Sequence, residues 1–189
     1  MRIITGIARG MNLETLEGEE ITRPTSSRVK EGMFSAIQFE IAGKRVLDLF
    51  AGSGQLALEA LSRGAESAVI IDESEKAIEI IKNNAKKTNL MKQSRIARQD
   101  YSEYLKSAKG REKFGIIFLD PPYAKDMPGE ILKKVSRADI LSDDGIVVCE
   151  SDKDNMNEDI YDLEFVKKYK YGSTYVVIFR KKEGESVED

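Results

Sequence analysis

The sequence predicts an α/β protein: a doubly wound, mostly parallel sheet that ends in an antiparallel hairpin and is preceded by a small N-terminal β-hairpin/helix appendage. Three observations predict this. From Gly43 onward, strand-like and helix-like patterns alternate with short turns between them. Phe114–Leu119 is apolar at every side chain after its glycine, as expected of a strand covered on both faces. Ala51-Gly52-Ser53-Gly54 joins the first of these strands to its helix by a glycine turn.

Taken in order, residues 2–8 read as a strand, Arg9-Gly10 as a turn and Met11–Leu16 as a returning strand. A helix is predicted from about Ser26 to Phe39, with Val29, Met33, Phe34 and Ile37 on one face and Thr25 or Ser26 as its cap. Residues 1–42 are expected to form the appendage and 43–182 the main domain. The acidic tail 183–189 is expected to be disordered. In the main domain, strands are predicted at Arg45–Phe50, Ser67–Ile71, Ser94–Arg98, Phe114–Leu119 and Ile146–Glu150. Helices are predicted at 55–63, 74–88, 101–108 and 128–138. Residues 151–159 read as a loop, and Leu163–Tyr171 and Thr174–Arg180 pair across Gly172-Ser173 as the closing hairpin.

Composition narrows the chemistry. The chain has 189 residues, no histidine, and a single cysteine, Cys149, within an apolar run. Nucleophile schemes that need histidine are excluded, and zinc finds too few ligands. A disulfide framework is excluded as well. No apolar run approaches the length of a membrane span, and the N-terminus lacks an apolar signal region. The cytoplasm is the expected compartment, with no membrane partner. A net charge of −3 does not advertise nucleic-acid binding, although basic residues gather at Arg23, Arg28 and Lys30, around Lys82–Lys87 and around Lys106–Lys113. The last two groups read as solvated helix faces or loops.

The motifs lie at the carboxyl ends of the strands, where open α/β sheets bind ligands. Asp48 and the turn Phe50-Ala51-Gly52-Ser53-Gly54 let a ligand approach the backbone, and the helix that follows can receive a negative group. Gly52-x-Gly54-x-x-Ala57 also fits a dinucleotide fingerprint, with Asp72 at the ribose-binding position. Asp72, followed by Glu73, suits any adenosine-containing cofactor; the competing reading is a cap for the next helix. Asp100 fits an adenine amino group, with Tyr101 against the ring, and also fits an N-cap for helix 101–108. Asp120-Pro121-Pro122-Tyr123 discriminates among these readings. Its prolines end the strand and stiffen the loop. An exocyclic amino group on a base is a poor nucleophile because its lone pair is delocalised into the ring. Two fixed acceptors, the Asp120 carboxylate and the Pro121 carbonyl, favour a more tetrahedral nitrogen, and Tyr123 can stack on the base. A dehydrogenase has no use for this set. Arg9, Arg23 and Arg28 are candidate phosphate contacts.

These residues resemble the class I S-adenosylmethionine-dependent methyltransferases, in particular the amino-methylating group with an Asp/Asn-Pro-Pro-aromatic motif. The order Arg2-Ile3-Ile4-x-Gly6-x-x-Arg9-Gly10, Arg23-Pro24-Thr25-x-x-Arg28-Val29, Phe50–Gly54, Leu58–Ala65 and Asp120–Tyr123 resembles the RsmD family of bacterial 16S ribosomal RNA guanine-N2 methyltransferases, over residues 1–182. The resemblance implies a Rossmann-like methyltransferase sheet with S-adenosylmethionine as cofactor. It implies that Asp48 and Ala51–Gly54, flanked by Phe50, meet the methionine part. Asp72, beside Glu73, takes the ribose, and Asp100, beside Tyr101, takes the adenine. Asp120, Pro121, Pro122 and Tyr123 would hold the target guanine. Arg9, Arg23, Thr25 and Arg28 would belong to an RNA-contacting element. The expected partner is 16S ribosomal RNA in the small subunit or an assembly intermediate, met by a monomer. Within the fold the alternative is an adenine-N6 or other amino methyltransferase. Outside it stand a nicotinamide-dependent oxidoreductase and a non-catalytic RNA-binding module.

Overall fold

The computed structural model describes residues 1–16, 27–122, 128–156 and 158–182. Their core is a seven-stranded sheet in the order β3-β2-β1-β4-β5-β7-β6. The strands are β1 (Arg45–Asp48), β2 (Ser67–Asp72), β3 (Ser94–Arg98), β4 (Phe114–Leu119), β5 (Leu141–Ser151), β6 (Leu163–Tyr171) and β7 (Thr174–Lys181). The first five pair in parallel, and β7 joins both β5 and β6 antiparallel. The helices are α1 (Ser27–Ala36), α2 (Gln55–Ser62), α3 (Glu75–Lys87), α4 (Tyr101–Ala108) and α5 (Pro128–Ala138). None is long and apolar enough to cross a membrane among the described residues.

Two apolar layers cover the sheet. One joins Val46, Ile70, Phe118 and Val148 to α1, α2 and α3 through Met33, Phe34, Leu58 and Ile81. The other joins Leu47, Ile71, Ile117 and Cys149 to α4 and α5 through Leu105 and Ile131. Side chains alternate across a strand, so β4, buried at every position, feeds both layers. Ile3, Ala8 and Leu13 lie in the first layer with the sheet, so the N-terminal segment shares the core of the main sheet.

Several elements differ from expectation. The helix expected to reach Phe39 ends at Ala36, where the chain passes into a turn. The strands expected at residues 2–8 and 11–16 are reduced to one bridge, Arg2 to Asn12. The backbone N–H groups of Ile4 and Thr5 turn away to donate to the Glu59 carboxylate at 2.8 and 3.0 Å, so no ladder can extend through them. β1 ends at Asp48 rather than Phe50, because Leu49 and Phe50 bend out of the ladder. β5 begins at Leu141, five residues before the apolar run, through a register shift that pairs Leu141 with Phe114 and Ile146 with Ile116. The polar Ser142–Gly145 hides that extension in the sequence. The tail 183–189 lies outside the described residues.

Candidate active site

The candidate cofactor end is built around the turn after β1. Gly52 and Gly54 adopt positive φ (53° and 78°), which side chains with a Cβ disfavour. The Gly54 N–H donates to the Ala51 carbonyl at 2.7 Å, closing the turn directly before α2. The Gly52 N–H donates to one oxygen of Asp72 at 2.9 Å, and the Ser74 N–H donates to the other at 2.9 Å. Asp72 therefore ties the glycine loop to the end of β2, and each of its oxygens retains a lone pair for a further donor. Ser74, not Asp72, caps α3, accepting from the Ala77 N–H at 3.3 Å. Glu73 is exposed, and its carbonyl accepts from Arg98.

Asp48 lies beneath this loop. It is 1 % exposed, and neither of its carboxylate oxygens has a hydrogen-bond partner among the described residues. Burial pushes its pKa up to about 7. The backbone amides of Phe50 and Ala57 pull it partly back down without reaching hydrogen-bond geometry, and the Asp72 charge adds to the rise. A buried carboxylate without a donor is costly, and a cationic ligand group would relieve it. The methionine ammonium of S-adenosylmethionine is such a group, so the donor set fits this cofactor.

Asp100 caps α4, accepting from the Ser102 and Glu103 N–H groups at 2.9 and 3.0 Å through a single oxygen. The other oxygen accepts no bond among the described residues. Tyr101 packs against Phe50 with ring centroids 5.0 Å apart, and the Lys134 ammonium sits 4.9 Å from the Tyr101 ring. These two rings stand together next to Asp100 and the glycine loop.

Asp120 follows the last residue of β4, where Leu119 pairs with Cys149. It is half-buried, Pro121 is buried and Pro122 is exposed. Pro121 and Pro122 line a small pocket with Pro128, Glu150, Ser151, Asp152 and Lys153. Burial, reinforced by the charges of Asp120 and Glu150, drives the Cys149 thiol far above its usual range, which makes it inert as a nucleophile. Asp48 and Glu150 fall on the sheet face covered by α1, α2 and α3, since Asp48 aligns with Phe118 and Val148, and Glu150 follows Val148 by two.

The structure thus gathers Asp48, Phe50–Gly54, Asp72, Asp100, Tyr101, Asp120, Pro121 and Pro122 at one end of the sheet. Arg9 is exposed in the N-terminal turn, and Arg28 is exposed in the first turn of α1. Arg23, Thr25 and Tyr123 lie outside the described residues. Lys30, grouped by sequence with Arg23 and Arg28, is 1 % exposed and faces inward.

Three residues escaped the sequence reading. Asn84, fully buried on α3, accepts from the Glu14 N–H at 2.8 Å. It also donates to the carbonyls of Glu14 and Ser53, each at 2.9 Å, and so links the glycine loop to the N-terminal segment. Gln55 opens α2 with Oε1 buried and unpartnered among the described residues. Glu59 binds the N-terminal segment to α2. The local signal for each is a polar residue at a helix position whose buried neighbours are apolar, Ala77, Ile81 and Ala85 around Asn84 and Leu56, Leu58 and Ala60 around Gln55 and Glu59.

Comparison with known proteins agrees with this geometry. The family model described as conserved hypothetical protein 95 matches residues 1–180. "Putative rRNA methyltransferase YlbH" of Bacillus subtilis is 40 % identical over 184 residues, which cover 96 % of this chain and 100 % of that protein. "Ribosomal RNA small subunit methyltransferase D" of Escherichia coli K12 is 34 % identical over 157 residues, 82 % of this chain and 76 % of that protein. The solved structure of "Putative methyltransferase yhhF" from Escherichia coli superposes with a TM-score of 0.84 at 27 % identity, covering 96 % of this chain and 98 % of that one. Matched along nearly its whole length, the chain belongs to the conserved hypothetical protein 95 family, the RsmD-type methyltransferases.

Proposed function

We propose that the chain methylates the exocyclic N2 of a guanine in 16S ribosomal RNA, using S-adenosylmethionine, as a cytoplasmic monomer. The observation that carries the reading is the partnerless buried carboxylate of Asp48 beneath a glycine loop, at the same end of the sheet as Asp120-Pro121-Pro122. The cofactor supplies an electrophilic methyl group on a sulfonium, so no strong base is required, in keeping with a chain that has no histidine.

Asp48 holds the ammonium of the methionine part, and Asp72 accepts from the ribose hydroxyls. Asp100 accepts from the adenine amino group through its free oxygen. On the substrate side, the Asp120 carboxylate and the Pro121 carbonyl accept the two hydrogens of the guanine amino group. That pairing turns the nitrogen lone pair out of the ring. The proprolyl backbone fixes both acceptors beforehand, so little reorganisation is needed. The guanine must leave its stack to reach them. The proton released by the nitrogen goes to Asp120 or to water beside it. Arg9, Arg23, Thr25 and Arg28 contact the RNA from the N-terminal segment.

The test is a methyl-transfer assay on small ribosomal subunits from a strain lacking this enzyme, with the digested nucleosides identified by mass. N2-methylguanosine is the expected product; N6-methyladenosine would overturn the choice of base. Asp120→Ala should lower turnover by about 100-fold or more and leave cofactor affinity within a few-fold. Equal losses in turnover and affinity would remove Asp120 from the amino-group role.

A further inference from the structure

A further basic region stands apart from the proposed RNA-contacting residues of the N-terminal segment. It lies on β6, the terminal strand of the sheet, in the run Lys167-Lys168-Tyr169-Lys170-Tyr171. The whole chain carries a net charge of −3, so this concentration runs against the average. Its basic groups interleave with rings. The Lys167 ammonium lies 5.2 Å from the Tyr169 ring. Lys168 and Lys170 lie 5.7 and 5.3 Å from the Tyr175 ring. Lys168 also forms an ion pair with Asp154, whereas Lys167 and Lys170 form none with any described residue.

Topology puts this strip beside the active site. Tyr175 pairs with Ser151 at the carboxyl end of β5, and Tyr171 pairs with Thr174 at the hairpin tip. The tip therefore stands at the ligand end of the sheet, next to the segment Glu150–Lys153 that lines the pocket of Pro121 and Pro122. The Lys168–Asp154 pair ties that segment to the strip. On the adjoining side, α1 presses on the strip: a Cβ at Gly32 would lie 2.2 Å from the Tyr171 ring. Arg28 stands one turn before Gly32 on the same helix.

We propose that the outer edge of β6 and the β6–β7 tip form a docking surface for the single-stranded RNA that flanks the target guanine. The proposal rests on the RNA substrate proposed above. Lysines along an edge strand also discourage pairing with another sheet. That purpose needs charge alone; the rings between the charges are half-buried, Tyr169 and Tyr171 against one core layer and Tyr175 against the other, and each keeps an exposed part beside the lysines. Basic groups interleaved with rings are what unpaired nucleotides use, through phosphate contact and base stacking. A guanine drawn out of its stack leaves neighbouring nucleotides unpaired at the pocket mouth, where the strip begins.

The experiment measures binding of the protein to deproteinised 16S ribosomal RNA across a range of salt concentrations. It compares wild type, Lys167→Glu/Lys170→Glu, the milder Lys167→Gln/Lys170→Gln, and a charge-matched control, Lys92→Glu/Lys109→Glu, at the opposite end of the sheet. The β6 glutamate pair should lose roughly 10-fold or more in RNA affinity, and its log–log salt slope should flatten by about 1.4, the loss of two single-strand phosphate contacts. The glutamine pair should move the same way by less, and cofactor affinity should hold within two-fold in all variants. An unchanged slope would overturn the assignment and leave edge protection as the sole purpose of these lysines. An equal loss in the control would overturn it as well. Wild-type protein that binds this RNA but methylates no small-subunit RNA would defeat the proposed function, while the surface would still be decided by the binding comparison.

Discussion

Asp48 and Glu59 are both fully buried, at 1 % and 0 % exposure, and the fold treats them in opposite ways. Glu59 receives four donors: the N–H groups of Ile4 and Thr5, the Lys30 ammonium at 3.0 Å and the Arg63 Nε at 2.8 Å. Asp48 receives none among the described residues. Folded chains satisfy their buried charges internally. A carboxylate satisfied from the N-terminal segment, α1 and α2 together serves to join those parts. A carboxylate left bare beneath a glycine turn is suited to a donor that is not part of the chain. The difference separates the glue of the molecule from its candidate ligand site, and the two can be tested separately.

The largest effect is expected at Glu59. Glu59→Leu removes the acceptor of the Ile4 and Thr5 N–H groups and takes the counter-charge from the Lys30 ammonium, which keeps only the Arg2 carbonyl and whose pKa burial already lowers. Breaking a buried pair in this way should cost about 3–5 kcal/mol of unfolding free energy, read by urea denaturation. Adding Lys30→Met should recover much of that loss, because replacing both partners with apolar groups leaves no charge behind. A single variant that loses less than about 1 kcal/mol would place Glu59 among ordinary surface pairs and dissolve the contrast.

Asp48 should respond in the reverse sense. Its carboxyl keeps a proton up to about 7 in the fold, against 3.8 ordinarily. The folded state therefore binds the proton more tightly than the unfolded one. The ligand-free protein should lose stability as pH rises from about 4 to 7, by up to roughly 4 kcal/mol. Asp48→Asn should abolish that loss, making the variant more stable than wild type at pH 8 and no better at pH 4. The same substitution should weaken S-adenosylmethionine by roughly 10- to 100-fold, the value of a hydrogen bond to a charged group. Wild-type affinity should climb as pH passes through 7, and that of the variant should not. Thermal melts and calorimetric titrations at the two ends of the range supply both readings. A variant that loses stability at pH 8 would mean that Asp48 is held by the fold after all.

The candidate ligand site is more legible in the sequence than the clamp. The glycine turn, the Asp100 cap of α4 and the prolines after Leu119 act through neighbours in the chain, and local patterns report them directly; the cap of α3 falls on Ser74 rather than on Asp72, the residue that the sequence offered. Glu59 acts through residues 4, 5 and 30, brought to it only by tertiary packing. Within Leu58–Arg63 it reads as the polar position of an amphipathic helix. Asn84 was hidden for the same reason, since its partners are Glu14 and Ser53. The N-terminal strands differ because Ile3, Ile4 and Ile7 favour a strand by residue type, whereas here only Ile3 and Ala8 are buried, Ile7 is exposed, and the segment is held by docking against α2. The Ile7 N–H donates to the Ser62 carbonyl at 2.9 Å, and a Cβ at Gly6 would collide with that same carbonyl at 1.7 Å.

The smallest and cleanest effect is expected at Asp100, which stands between the two extremes. One oxygen is committed to the fold as the cap of α4, and the other, unbonded among the described residues, is the one proposed to meet the adenine. Asparagine caps a helix as well as aspartate does, so Asp100→Asn should leave stability within about 0.5 kcal/mol. With its carbonyl oxygen held by the Ser102 and Glu103 amides, the new side chain must turn its NH2 toward the ligand. A donor would then face the adenine amino group, itself a donor. Cofactor affinity should fall roughly 5- to 10-fold, consistent with the loss of one hydrogen bond, while an analogue whose purine carries a carbonyl at that position should gain in relative affinity. A fall in both stability and affinity would mean that both oxygens serve the helix. No fall in either would take the adenine contact away from Asp100 and leave Asp48 and Asp72 as the carboxylates that recognise the cofactor.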